Sequence, residues 1–198
     1  MNANVDDSYT LKIIFVGDRG VGKSAIIASI INGTTTLPEH MTIFMKDFFK
    51  NDGTHVFIQF WDSIIQEQNN NQNIFFIRSS AAVVVFDITN RNSFAKLDEI
   101  INKIRENADP SITLIIVGNK IDLNNRVIST EEAEKYAGTV GANYIEVSAL
   151  SRQGINNLID LMLHRIPRPP QNNNIHLEDR PPLKANFCTR TICGAYDS

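Results

Sequence analysis

The sequence predicts an α/β domain built on a mostly parallel sheet. Short β-rich apolar runs alternate with helical patterns along the chain, and two of the runs, Ala81–Phe86 and Ile112–Val117, are apolar throughout. Alternation of this kind marks strand–helix–strand units. An unbroken apolar run suits a central strand covered on both faces. A third observation adds one hairpin, and with it one antiparallel strand: the turn signal Asn51-Asp52-Gly53 lies between two runs.

The elements follow in order. Leu11–Val16 is a first strand ending at a glycine, and Lys23–Ile31 a first helix. A strand around Thr42–Phe49 enters the turn and Thr54–Trp61 leaves it. After the strand Ala81–Phe86 comes a helix over Ser93–Asn107, with Asn92 or Ser93 as its cap. The strand Ile112–Val117 precedes a helix over Thr130–Val140, opened by a capping box of Ser129 with Glu132. Tyr144–Val147 and Ile155–Arg165 close the pattern as strand and helix. From Pro167 the composition shifts, with Pro169, Pro170, Pro181 and Pro182 punctuating a polar stretch. Residues 1–9 are therefore expected to be a flexible N-terminus, 10–166 the folded domain and 167–198 a flexible tail.

Bulk properties narrow the function. A chain of 198 residues, 42% hydrophobic, fits one globular domain with a tail. Net charge is −3 with no long basic run, which argues against a nucleic-acid partner. The cysteines, Cys188 and Cys193, both fall in the tail, so a disulfide scaffold is not expected and a reducing compartment is. No apolar run approaches the roughly 18 residues of a membrane span, and Met1–Thr10 is polar, unlike a signal peptide. The expectation is a cytoplasmic protein, peripheral on membranes at most. The histidines His40, His55, His164 and His176 are scattered without metal-ligand spacing.

One motif carries phosphate chemistry. Gly17-Asp18-Arg19-Gly20-Val21-Gly22-Lys23-Ser24 matches G-x-x-x-x-G-K-[ST] between the first strand and the first helix. Glycines let the backbone turn its N–H groups toward phosphates, and the helix N-terminus adds partial positive charge. Lys23 supplies a point charge to the β- and γ-phosphates, and the Ser24 hydroxyl is a Mg²⁺ ligand. Gly17, Arg19, Gly20, Val21, Gly22, Lys23, Ser24 and Ala25 form the candidate phosphate-binding set.

A second motif names the base. Asn119-Lys120-Ile121-Asp122 follows an apolar run, at a strand's C-terminal end where α/β sheets bind ligands. The Asp122 carboxylate can accept two hydrogen bonds from guanine N1–H and the 2-amino group, a pair of donors that adenine lacks. Ser148, Ala149 and Leu150 follow the last strand, and the Ala149 N–H is the candidate donor to guanine O6.

With these motifs the chain resembles a small GTPase of the Ras superfamily. Ile58–Asp62 and Val85–Asn90 through Ser93-Phe94 are similar to the Rab branch in particular, and the resemblance covers about residues 10–166. It implies a P-loop GTPase fold: a six-stranded, mostly parallel sheet with one antiparallel strand and five flanking helices. It also implies a Mg²⁺-dependent switch between GTP and GDP, with vesicle traffic or related signalling as its setting. Asp62 and the first-switch threonine would join Ser24 around Mg²⁺. That threonine is Thr42 by count, with Thr36 as the alternative. Gln66 would orient the attacking water and Lys23 would act on the phosphates. Effectors, exchange factors and activating proteins would bind through segments of about residues 33–45 and 62–78.

Departures from the family pattern bear on turnover. Where the family has D-T-A-G-Q-E, this chain has Asp62-Ser63-Ile64-Ile65-Gln66-Glu67. Ile65 replaces a glycine whose backbone N–H reaches the γ-phosphate, and a β-branched residue restricts φ and ψ. Asn-rich residues 69–73 follow. Arg19 takes a position where the family has a small residue; it either points to solvent or lies over the γ-phosphate. The tail lacks a C-a-a-X box and a polybasic run, so Cys188 and Cys193 are expected to be inert thiols. Two functions are consistent with this pattern: a slow GTPase switch, or a guanine-nucleotide-binding interaction module with little or no hydrolysis.

Thr35 stands where the family packs an aromatic ring across the guanine. Such a ring contact is worth about 0.5–1.5 kcal/mol beyond its area. Thr35→Phe is expected to slow release of a fluorescent GDP analogue by up to about tenfold. An unchanged off-rate would mean that another side chain covers the base.

Overall fold

The computed structural model describes residues 8–37, 42–63 and 75–170. The strands are β1 (Tyr9–Gly17), β2 (Ile43–Phe49), β3 (His55–Asp62), β4 (Ala81–Asp87), β5 (Thr113–Asn119) and β6 (Asn143–Val147). They form one sheet in the order β2-β3-β1-β4-β5-β6. β2 runs antiparallel to β3, and every other neighbouring pair is parallel. Gly53 turns the hairpin at φ +85°, a conformation that glycine adopts without steric cost.

Five helices lie wholly among the described residues: α1 (Lys23–Ile31), α2 (Arg91–Ala95), α3 (Leu97–Asn107), α4 (Thr130–Thr139) and α5 (Ile155–Arg165). The single helix expected over Ser93–Asn107 is thus two helices that break at Lys96. Its cap is also corrected. The Asn90 side chain accepts from the N–H groups of Asn92 and Ser93. Ser93 is instead fully buried, and its hydroxyl accepts from the Asp87 N–H at 3.0 Å. Ser129 does cap α4, accepting from the Glu132 N–H at 3.1 Å. β1 begins at Tyr9.

Strand alternation divides the core into two layers. Leu11, Ile13 and Phe15 of β1 and Val83 and Val85 of β4 pack with Ile26, Ile27 and Ile30 of α1 and with Leu158 and Met162 of α5. Ile14 and Val16 of β1 and Val84 and Phe86 of β4 pack on the other side with Leu97, Ile101 and Ile104 of α3 and Ala133 of α4. All seven residues of β4 are buried, as an unbroken apolar run in a doubly covered sheet requires. No described helix is long and apolar enough to cross a membrane.

The parallel strands all point the same way, so the C-terminal ends of β1, β3, β4, β5 and β6 gather at one edge. β3 and β5 run further than their apolar residues, ending on Asp62 and Asn119. Asp62 and the first residue of the N-K-x-D motif are thereby fixed on strand backbone.

Phe60 is fully buried, its ring centroid 6.1 Å from that of Phe15. Phe60→Ala is expected to destabilise the fold by about 3–5 kcal/mol in urea unfolding. Phe49 is 69% exposed on the edge strand β2 and stacks on His55. Phe49→Ala should cost about 0.5 kcal/mol or less. Equal costs at the two positions would contradict this layering.

Candidate functional site

Gly17 ends β1 and Lys23 begins α1, and the loop between them passes close to two neighbouring strands. Gly17 has φ +152°, and a Cβ there would stand 2.3 Å from the Val85 carbonyl oxygen. Gly22 has φ +98° and would place a Cβ 2.3 Å from Nδ2 of Asn119. Glycine is required at both, by backbone conformation and by space. Lys23 folds over the loop, its Nζ donating to the carbonyls of Gly17 at 3.0 Å and Asp18 at 2.8 Å. Gly20 and Arg19 are exposed, and Ala25 is half-buried in the first turn of α1.

The Ser24 hydroxyl hydrogen-bonds Oδ2 of Asp62, a carboxylate that is only 1% exposed. The Asp62 N–H donates to the Thr42 carbonyl at 2.9 Å, so hairpin pairing sets Thr42 across from Asp62. Ser24, Thr42 and Asp62 therefore share one corner of the site. Thr36 is exposed, and its carbonyl accepts the Thr34 hydroxyl at 3.0 Å. Gln66 and Ile65 lie outside the described residues, as do residues 38–41 and 64–74 of the two segments expected to bind partners.

Asn119 joins the second motif to the first. Its Nδ2 donates to the Val21 carbonyl at 2.9 Å, and its Oδ1 accepts from the Ala149 N–H at 3.1 Å. The Ser148 hydroxyl, fully buried, donates to Asp122 at 2.5 Å and accepts from the Ser151 N–H at 2.9 Å. Asp122 is exposed, and the apolar side chain of Leu150 is 71% exposed beside this loop. The phosphate-loop, N-K-x-D and Ser148–Leu150 residues named from the sequence thus meet at one sheet edge.

Two supporting carboxylates were not legible as site residues. Lys120 has φ +72°, sparsely populated for a side-chain-bearing residue, and its Nζ lies 2.6 Å from Oδ2 of Asp87. Burial pushes the Asp87 carboxyl up, but hydrogen bonds from Lys120 and Thr89 outweigh it and hold the group below the usual carboxylate range. In the sequence Asp87 is a charge closing an apolar run, inside the Rab-like stretch Val85–Asn90.

Glu146 accepts two bonds from Arg126 at 2.8 and 2.7 Å, one from Thr130 at 2.9 Å and one from Tyr144 at 2.8 Å. Burial pushes this carboxyl up as well, and those partners together hold it below its ordinary value. Arg126 follows Asp122 and Glu146 precedes Ser148, so the network braces the two base-side loops against each other.

Residues 12–168 match the sequence pattern of the Ras family. The chain belongs to the Ras family. Its relatives place it on the Rab side of that family. It is 30% identical over 176 residues to the GTP-binding protein ypt3 of Schizosaccharomyces pombe, covering 86% of this chain and 82% of the relative. It is 32% identical over 170 residues to the Ras-related protein Rab11A of Lotus japonicus, covering 83% and 75%. It is 30% identical over 165 residues to the Ras-related protein RABA2a of Arabidopsis thaliana, covering 81% and 76%. The chain is a Rab-like small GTPase, and the six-stranded fold is that of the family. Ras-family proteins bind GTP or GDP, generally with Mg²⁺, and work through regulators and effectors. The Ser24 hydroxyl and the buried Asp62 carboxylate are oxygen donors of the kind a hard divalent cation takes.

Asn119→Ala would leave the Val21 carbonyl and Ala149 N–H without their bonds, at an expected cost of about 2 kcal/mol in urea unfolding. Because both base and phosphate loops lose their common anchor, GDP release should accelerate at least about tenfold. Wild-type release from the variant would show that the two loops hold the nucleotide independently.

Proposed function

We propose that this Rab-like GTPase is a slow guanine-nucleotide switch acting in vesicle traffic or related signalling. The observation that carries the reading is the Asn119 carboxamide, whose bonds to Val21 and Ala149 join phosphate loop and base loop in one site. In this reading the backbone N–H groups from Gly20 to Ala25 line the phosphates and Lys23 balances their charge. Asp122 selects guanine, and the Ala149 N–H donates to its O6. Ser24, Thr42 and Asp62 hold Mg²⁺, which when bound would neutralise charge on the phosphate oxygens. Gln66 orients the water that attacks the γ-phosphorus as the β–γ bond breaks. Catalysis of this kind is mainly positioning and electrostatics.

Asp122 is exposed, so base selectivity does not rest on a carboxylate buried in advance. It rests on two charge-assisted hydrogen bonds that guanine completes and adenine cannot. Partners would read the segments of about residues 33–45 and 62–78, where effectors, exchange factors and activating proteins meet the nucleotide state. Ile65 in place of glycine and the exposed Thr35 favour a second reading, in which the protein binds guanine nucleotide and hardly turns it over.

Single-turnover assays with GTP and ATP distinguish these. The expected outcome is retention of GTP over ATP and hydrolysis at or below about 10⁻⁴ s⁻¹, faster in an Ile64→Ala, Ile65→Gly variant. Retained GTP with no phosphate release, in wild type and variant alike, would support the interaction module. Equal affinity for ATP would overturn the guanine assignment.

A further inference from the structure

The phosphate loop carries a negative charge of its own. Asp18 lies between Gly17 and Arg19, and its carbonyl accepts from the Lys23 ammonium at 2.8 Å. A carboxylate in that place competes with phosphate for Lys23 and repels the phosphates directly. The carboxylate is fully engaged elsewhere. Oδ1 accepts from the Arg19 N–H at 2.9 Å, and Oδ2 receives Nζ of Lys96 at 2.8 Å, from 78 residues further along the chain. The Lys96 bond holds the Asp18 carboxyl below the usual carboxylate range, so it is charged at neutral pH.

Lys96 sits where α2 meets α3, as C-cap of the first and N-cap of the second, and its side chain makes no capping bond there. Its ammonium instead reaches across the fold to the Asp18 carboxylate.

We propose that Lys96 is a positioning residue for nucleotide binding, a countercharge that offsets the Asp18 carboxylate beside Lys23 and the phosphate loop. The proposal rests on the guanine-nucleotide reading above. It makes the signs of three variants differ. Lys96→Ala leaves an uncompensated negative charge in the loop, Asp18→Asn leaves an uncompensated positive one, and the double variant restores neutrality.

The test is release of fluorescent GDP and GTP analogues from wild type and the three variants, at low and high salt. For an exposed pair of this kind, Lys96→Ala should release about threefold faster than wild type. Asp18→Asn should release more slowly, and the double variant close to the wild-type rate. The changes should be larger for GTP, which carries more negative charge, and should shrink in high salt. A double variant as fast as Lys96→Ala or faster would make the pair a structural brace and overturn the proposal. If the wild-type protein retains no guanine nucleotide, the nucleotide reading falls and this inference falls with it.

Discussion

The Asn119 carboxamide, 2% exposed, gives one hydrogen bond to Val21 and takes one from Ala149, and the nucleotide site depends on that pair. An amide has a donor and an acceptor at fixed separation, so it holds two loops at one distance. The bridge needs Asn119 to end a strand whose backbone does not shift. It also needs Gly22 without a Cβ, since that atom would stand 2.3 Å from the carboxamide nitrogen. The first condition comes from the sheet, the second from the residue type at position 22. β5 is paired in parallel with β4 on one side and β6 on the other, which brings the residues after β6 level with Asn119.

Charged groups around the site are bound into networks that stiffen the loops. Asp87, at the end of β4, holds Lys120 in a left-handed conformation, and Glu146 ties the loop after β5 to the end of β6. The C-terminus of α1, just before residues 33–45, has no basic residue in its last turn. Its carbonyls are met from elsewhere: Lys46 of β2 donates to Ile30 and Ile31 at 2.7 and 3.0 Å, and Arg152 donates to Ser29 at 2.8 Å. Cations are favourable at that helix end. Because Arg152 lies just beyond the Ser148–Leu150 loop, that loop and the end of α1 share a physical connection.

Most of the fold was legible because its determinants are local. Apolar runs placed all six strands, and Asn51-Asp52-Gly53 placed the hairpin, with boundaries shifted by a residue or two. The helix after β4 was misread because the break at Lys96 leaves no mark in apolar periodicity. Its cap was misassigned because Ser93, a good capping residue by type, is turned inward to the Asp87 backbone. Asp87 and Glu146 were not recognised because their partners, Lys120, Arg126, Tyr144 and Thr130, are defined only once strands and loops are assembled.

The sequence by itself determined the sheet class, the phosphate loop, the guanine motif and the family to which they belong. Those depend on residue types at short fixed spacings, where backbone geometry follows directly from glycine, helix start and strand end. Tertiary structure alone decided which carboxylates stand beside those motifs and which cations neutralise them. It set Thr42 across from Asp62, joined Lys96 to Asp18, and closed Arg126 on Glu146. These are contacts between distant segments, and long side chains such as lysine and arginine reach partners that no local pattern can specify.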